Sequence, residues 1–142
     1  MAFRTRIVVR FGDEDHAGIV YYPRFFNFFH VAFEDFFDQQ GFPYARVLDH
    51  DRIGFPTVHV ETDFRRTLRF GDRFDVDVWV ERVGRTSAVF RYRGRKEGSL
   101  DDVATARLTV VCVSMDTWKP APIPPPLRAL LERNQTPPAP EA

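Results

Sequence analysis

The 142-residue sequence has a single cysteine, Cys112, so no disulfide bond can form within the chain, as is usual for proteins of a reducing compartment. It has no excess of either charge, because 20 acidic and 20 basic side chains cancel, and this argues against a nucleic acid as the main partner. It lacks any apolar run near the roughly 20 residues of a membrane span. Arg4, Arg6 and Arg10 interrupt the apolar residues near the start, which argues against a signal peptide. We therefore expect a cytoplasmic protein.

Familiar metal and hydrolase signatures are also missing. The four histidines and the cysteine do not have zinc-ligand spacing, and there is no Gly-x-Ser-x-Gly motif. Residues 13–18 begin like a calcium-binding EF-hand loop, but the twelfth position is Arg24 instead of a bidentate Glu. A phosphatase-type Asp-x-Asp nucleophile needs a parallel α/β fold. This chain is too short for such a fold, and its pattern of strands is typical of an antiparallel sheet. No metal site is expected.

Hydrophobic periodicity predicts one long helix among several strands. Residues 24–40 contain seven phenylalanines, which with Ala32 cover about half of a helix circumference, and Gly41 and Pro43 would end the helix. An apolar arc this broad is typical of a helix that a curved sheet wraps around. Alternating patterns predict strands near residues 3–11, 58–64, 74–80, 88–92 and 103–115, a turn at 83–85, and a short helix at 44–50. This order indicates an α+β fold with an antiparallel sheet.

The composition changes near the end of the chain. Eight of the eleven prolines lie beyond Lys119, so we divide the chain into a domain of residues 1–118 and a proline-rich extension of residues 119–142. Pro126 is expected to begin a short helix that carries Leu127, Leu130 and Leu131. Residues 136–140 are expected to be disordered.

The segment of residues 11–23 is the most informative part of the sequence for function. It joins an acidic, glycine-containing loop to the first turn of the long helix, where Pro23 suits the first helical position. Free N–H groups of that turn form a partial positive pole, and a carboxylate facing such a pole suits acyl transfer. From spacing alone, Asp13 is best interpreted as a cap of backbone N–H groups. Asp15 fits a cap and a catalytic group equally well.

Residues 12–23, followed by the long helix, resemble the hot-dog-fold acyl-CoA thioesterases of the 4-hydroxybenzoyl-CoA thioesterase group, which includes the bacterial YbgC-like enzymes. The resemblance runs from about Arg4 to Met115 and includes residues 55–58 and 85–87. It implies a hot-dog fold, in which a curved antiparallel sheet of about five strands wraps one long helix. It also implies that the protein hydrolyses an acyl-CoA thioester. No cofactor is expected, because coenzyme A is part of the substrate.

The resemblance also implies roles for individual residues. Asp15 matches the catalytic aspartate, which attacks the thioester carbon or activates water. The Tyr22 backbone N–H matches the donor that polarises the thioester carbonyl, and Gly18 allows close approach to it. We also expect His16, Tyr21, His30 and His59 to contact the substrate, with His30 and His59 at its acyl end, and Arg85, Thr86 and Ser87 to contact coenzyme A.

Three points remain open at this stage. His30 stands where close relatives often carry Asp or Glu, so the acyl group is not identified. The main alternative to hydrolysis is a non-catalytic protein of the same fold that binds an acyl-CoA or acyl-carrier thioester, and a hot-dog dehydratase is a weaker one. Exposed strand edges and the resemblance both predict a homodimer, which in such proteins is often doubled to a tetramer.

Overall fold

The computed structural model describes residues 3–137, which form two sheets and three helices. Five strands make an antiparallel sheet in the order β1-β4-β5-β6-β3, and β2 pairs with β7 in a second sheet. The strands are β1 Phe3–Val8, β2 Ile53–Gly54, β3 Thr57–Phe64, β4 Arg73–Val83, β5 Ser87–Lys96, β6 Asp102–Val111 and β7 Val113–Ser114. The helices are α1 Arg24–Asp38, α2 Tyr44–Asp49 and α3 Pro125–Arg133.

The core lies between α1 and the main sheet. Six phenylalanines and Ala32 of α1 are buried, as the broad apolar arc predicts. Their rings contact the middle strands, with Phe25 5.7 Å from Phe74 of β4 and Phe33 5.1 Å from Phe90 of β5. The predicted α+β arrangement of one long helix on an antiparallel sheet is therefore confirmed. No helix within residues 3–137 is long and apolar enough to cross a membrane.

The outer face of the sheet is covered by ion pairs. Buried Asp77 binds Arg4 of β1 and Arg93 of β5. Nearby, a hydrogen bond from Arg107 and, to a smaller extent, one from Arg91 lower the pKa of Glu81 to about 2. This charged outer face contrasts with the apolar face that packs on α1.

The strand predicted at residues 103–115 is wrong at its C-terminal end. β6 stops at Val111, and residues 113–114 pair with β2 instead. The chain leaves the main sheet at Cys112, whose N–H donates to the Thr86 carbonyl (2.6 Å) and whose carbonyl accepts from Ala121 (2.8 Å). The first strand is also shorter than predicted, because Phe11 lies in a short 3-10 helix, Phe11–Asp13.

The C-terminal helix is confirmed and begins at Pro125, one residue earlier than predicted. Its three leucines and Ile123 are buried in the same cluster as the α1 phenylalanines. The domain boundary at residue 118 stays a prediction that rests on composition. Side chains from both sides of it pack in one core. The predicted disordered end, residues 136–140, extends beyond the described residues.

One edge strand of the main sheet exposes apolar side chains. β3 pairs with β6 on one side only within residues 3–137. Val58, Val60 and Phe64 are 61%, 44% and 44% exposed in the single chain. This apolar edge is the kind of surface that pairs with another strand.

Candidate active site

The loop before α1 is a tight hairpin. Glu14 and Val20 form an antiparallel bridge, the Asp15 N–H donates to the Ile19 carbonyl (2.9 Å), and the Gly18 N–H donates to the Asp15 carbonyl (3.0 Å). Gly18 has φ +78°, a left-handed conformation that favours glycine, although an added Cβ would meet no atom within 4 Å. Backbone conformation, not crowding within the chain, therefore accounts for glycine at this position.

Asp15 presents an exposed carboxylate at the start of this hairpin. Its Oδ1 accepts the Ala17 N–H at 2.8 Å, and Oδ2 has no donor among residues 3–137. Asp13 differs, because its Oδ2 accepts the Arg10 N–H at 2.8 Å, which confirms the predicted capping role. One oxygen of Asp15 thus stabilises the turn while the other is left for solvent or a ligand.

The start of α1 supplies one free backbone donor. Pro23 precedes the first helical residue as the N-cap, and the N–H groups of Arg24, Phe25 and Phe26 donate to carbonyls three residues back. The predicted pole of several free N–H groups is therefore wrong, because these short-range bonds consume them. The Tyr22 N–H lacks an acceptor within the described part of the chain.

Of two other predicted residues, His16 lies within the hairpin and Tyr21 directly follows it. His16 is exposed beside Asp15. The rings of Tyr21 and Tyr22 are 5.7 Å apart and half or more exposed, and Tyr22 also contacts Phe64 of β3 at 6.2 Å. The hairpin and the C-terminal end of β3 therefore form one surface.

An apolar cavity of about 490 Å³ runs along α1 away from this surface. Its lining includes Phe26 and His30 of α1, Val60 of β3, and Tyr44, whose hydroxyl accepts the Phe55 N–H at 3.0 Å. Burial raises the pKa of Tyr44. Phe26, four positions after Tyr22, is the lining residue nearest in sequence to the free N–H.

His30 is one of the residues that line this cavity. Its Nε2 lies 3.0 Å from the Glu34 carboxylate, and its ring stacks on Phe33 at 5.8 Å. His30 thus adds an ionisable group to a lining that is otherwise mainly apolar, and Glu34 contacts it from outside that lining.

His59 is not in this cavity, so the expected position is wrong. A bulge shifts the register of β3 between Thr57 and His59, so Thr57 and Val60 face α1. His59 points to the outer face instead, where its Nε2 lies 3.8 Å from the carboxylate of Glu61.

Arg85, Thr86 and Ser87 lie far from Asp15 in a single chain. They follow β4, whereas the hairpin contacts the segment just before β4, through the Glu14 carboxylate and the Phe70 N–H (3.0 Å). The 11 residues of β4 separate these ends by roughly 35 Å. The Arg85 side chain is exposed, and its carbonyl accepts from the Ile123 N–H (3.0 Å). One chain does not bring these predicted residues together.

A family model of the thioesterase-like superfamily matches residues 9–131. The chain belongs to this superfamily. It is 31% identical over 123 residues to a 1,4-dihydroxy-2-naphthoyl-CoA hydrolase of Synechococcus elongatus, covering 86% of this chain and 89% of the relative.

Solved structures are also similar to this thioesterase-like chain. A thioesterase superfamily protein from Jannaschia sp. CCS1 superposes with a TM-score of 0.87 at 27% identity, covering 94% of this chain and 92% of the other. A gentisyl-coenzyme A thioesterase superposes with a TM-score of 0.81 at 27% identity, covering 92% and 98%. The predicted hot-dog fold and the predicted class of enzyme, an acyl-CoA thioester hydrolase, are confirmed.

Sequence reasoning missed two features of this thioesterase-like chain. Leu48, Met115 and Trp118 also line the cavity, and no sequence motif marks them. The contact between Glu14 and Phe70 was also missed, although the sequence carries a signal for it. The tetrapeptide Arg-Phe-Gly-Asp occurs twice, at residues 10–13 and 69–72.

Proposed function

We propose that this thioesterase hydrolyses an aromatic acyl-CoA, with Asp15 as the catalytic carboxylate and the Tyr22 N–H as the donor to the thioester oxygen. The observation that carries the proposal is the pairing of a free carboxylate oxygen with a free backbone N–H at the two ends of one hairpin. Neither group is engaged elsewhere within residues 3–137.

Two reaction routes use the same two groups. In one, Asp15 attacks the thioester carbon, the carbon–sulfur bond breaks, and water hydrolyses the resulting anhydride. In the other, Asp15 removes a proton from water, the water attacks the thioester carbon, and the carbon–sulfur bond breaks to release coenzyme A. In both routes negative charge develops on the thioester oxygen, and a preorganised donor there is worth about 3–4 kcal/mol. No step needs a metal or a redox cofactor, and Gly18 leaves room beside the thioester.

The acyl group would enter the cavity along α1. The cavity is lined by aromatic rings, and His30 with Glu34 offers a polar contact for a ring substituent. The Synechococcus relative is named for a dihydroxynaphthoyl group. We propose a hydroxylated aromatic acyl group for this chain, with His16 and Tyr21 bordering the entrance.

The coenzyme A arm requires a second subunit in this proposal. The Phe64 end of β3 lies beside Tyr22, and the Thr57 end lies towards the turn that holds Arg85. Antiparallel pairing of two β3 edges about a two-fold axis would therefore bring the partner's Arg85, with its neighbouring Thr86 and Ser87, to the Asp15 end. The apolar exposure of β3 supports a homodimer, alone or doubled to a tetramer. His59, on the outer face of β3, would lie near the line where the sheets of the two subunits meet.

A cytoplasmic location belongs to the same proposal. It is supported by the buried, unpaired Cys112 and by the intracellular occurrence of coenzyme A thioesters as a chemical class. Cell fractionation with an antibody to the protein tests it.

A free-thiol assay with a panel of aromatic and aliphatic acyl-CoAs tests the activity. Asp15→Asn should lower kcat by several orders of magnitude with little effect on folding, because an amide is a poor nucleophile and base. Asp13→Asn, the matched control, should matter much less. If Asp15→Asn keeps more than about a tenth of kcat, a difference of about 1.4 kcal/mol in barrier, the assignment of Asp15 is wrong. Tight binding of acyl-CoA without turnover by the unaltered protein would instead favour the non-catalytic alternative.

A further inference from the structure

The repeated tetrapeptide Arg-Phe-Gly-Asp forms two turns that share the same two hydrogen bonds but differ in backbone conformation. In each copy the aspartate N–H donates to the arginine carbonyl at 3.0 Å, and the aspartate carboxylate accepts the arginine N–H at 2.8 Å. The second copy has Gly71 at φ +89°, which makes it a type II turn with Phe70 at its second position.

The two turns are joined to each other. The Gly71 N–H donates to the Val9 carbonyl (3.0 Å), and the Val9 N–H donates to the Asp72 carbonyl (2.9 Å). The rings of Phe11 and Phe70 meet edge to face at 5.8 Å. The second turn is therefore a fixed platform beside the hairpin that carries Asp15.

The hairpin is tied to this platform at two points. One is a backbone bond from the Val20 N–H to the Leu68 carbonyl, at 2.8 Å. The other uses a side chain, since the Glu14 Oε2 accepts the Phe70 N–H at 3.0 Å. Glu14 directly precedes Asp15 and has no cation partner within residues 3–137. Its carboxylate is thus committed to a backbone donor and not to an ion pair.

We propose that Glu14 is a positioning residue, which holds the hairpin so that Asp15 and the Tyr22 N–H face the same thioester. This inference rests on the proposed function of Asp15. The role requires an acceptor oxygen at Glu14 and a donor N–H at Phe70, and it does not require the negative charge.

Four variants separate these requirements. Glu14→Ala removes the acceptor, whereas Glu14→Gln keeps an acceptor oxygen and loses the charge. Phe70→Pro removes the N–H, and proline suits the second position of a type II turn. Phe70→Ala is its matched control, because it removes the ring and keeps the N–H.

We expect Glu14→Ala and Phe70→Pro each to lower kcat about tenfold while KM stays within about twofold, since positioning acts on the transition state. Glu14→Gln and Phe70→Ala should stay within about threefold of the unaltered kcat. The double variant that combines Glu14→Ala with Phe70→Pro should be no worse than either single change by more than about twofold, because both remove one bond.

Hydrogen exchange supplies a readout that does not depend on activity. Backbone amides of residues 13–21 should exchange faster in Glu14→Ala and Phe70→Pro, and at the unaltered rate in the other two variants. If exchange is unchanged in Glu14→Ala, or if Glu14→Gln is as impaired as Glu14→Ala, the positioning role is wrong. Absence of turnover in the unaltered protein would refute the proposed function instead, and exchange would still decide whether Glu14 holds the hairpin.

Discussion

Gly94 lies near the C-terminal end of β5, the middle strand of the main sheet, and a single added methyl group there should disrupt the core. It pairs with Val76 of β4 and Ala104 of β6, so its backbone is fixed on both sides. A Cβ at this position would overlap the ring edge of Phe74, closer than carbon atoms approach in folded proteins. Phe74 is fully buried and cannot turn towards solvent. Gly94→Ala therefore forces either the ring or the strand to move.

The cost follows from what the Phe74 ring contacts. Overpacking a core costs about 1–3 kcal/mol. The ring also contacts Phe25, Phe28 and Phe29 of α1 at 5.7, 5.9 and 6.5 Å. Such ring pairs are worth about 0.5–1.5 kcal/mol each, and displacement weakens them. We expect Gly94→Ala to lower the free energy of unfolding by about 2–4 kcal/mol, or Tm by about 7–14 °C for a chain of this length.

Urea unfolding at one fixed protein concentration measures this loss, since the midpoint of an oligomer depends on concentration. Gly12→Ala is the matched control. Gly12 lies outside the left-handed region and an added Cβ meets no atom within 4 Å, so its change should stay within about 0.5 kcal/mol. Phe74→Leu should partly rescue Gly94→Ala. A loss below about 1 kcal/mol for Gly94→Ala, or strict additivity with Phe74→Leu, would refute the steric reasoning.

Three predictions concern the site and the assembly. Arg85→Ala should raise KM in a salt-sensitive way and leave kcat nearly unchanged, because a contact to a coenzyme A phosphate acts equally in ground and transition states; an unchanged KM at low salt would make Arg85 a solvated turn residue. His30→Asp should alter the ranking of acyl-CoA substrates in the free-thiol assay more than it alters Tm, and a flat ranking with a lower Tm would assign His30 to the core. Light scattering coupled to gel filtration should show a dimer or tetramer; an active monomer of 16.6 kDa would refute the shared site but not the activity.

The sequence predicts those parts of the structure that local patterns control. The phenylalanine arc of α1 fixes one buried face, and the alternation around Phe74 and Phe90 fixes which side of β4 and β5 meets that helix. The acidic loop, Pro23 and the following helix were sufficient to select the family. In each case the information lies within a few neighbouring residues.

The parts that were wrong depend on contacts between distant segments. The bulge that turns Thr57 towards α1 depends on pairing with β6, and alternation within β3 cannot reveal it. The exit of the chain at Cys112 depends on the carbonyl of Thr86, 26 positions earlier. The first-turn N–H groups of α1 donate to the carbonyls of residues 21–23. Residue type does not determine whether these groups form such short-range bonds or stay free.

The free donor at position 22 has a consequence for how this protein can evolve. Because the N–H belongs to the main chain, every residue except proline supplies it, and the tyrosine ring is free to change without loss of that hydrogen bond. The cavity beyond Phe26 is built from side chains, so its shape can drift by single substitutions. In the proposed mechanism, turnover and acyl preference thus rest on different kinds of atoms, and a duplicated gene could acquire a new substrate while its chemistry stayed intact.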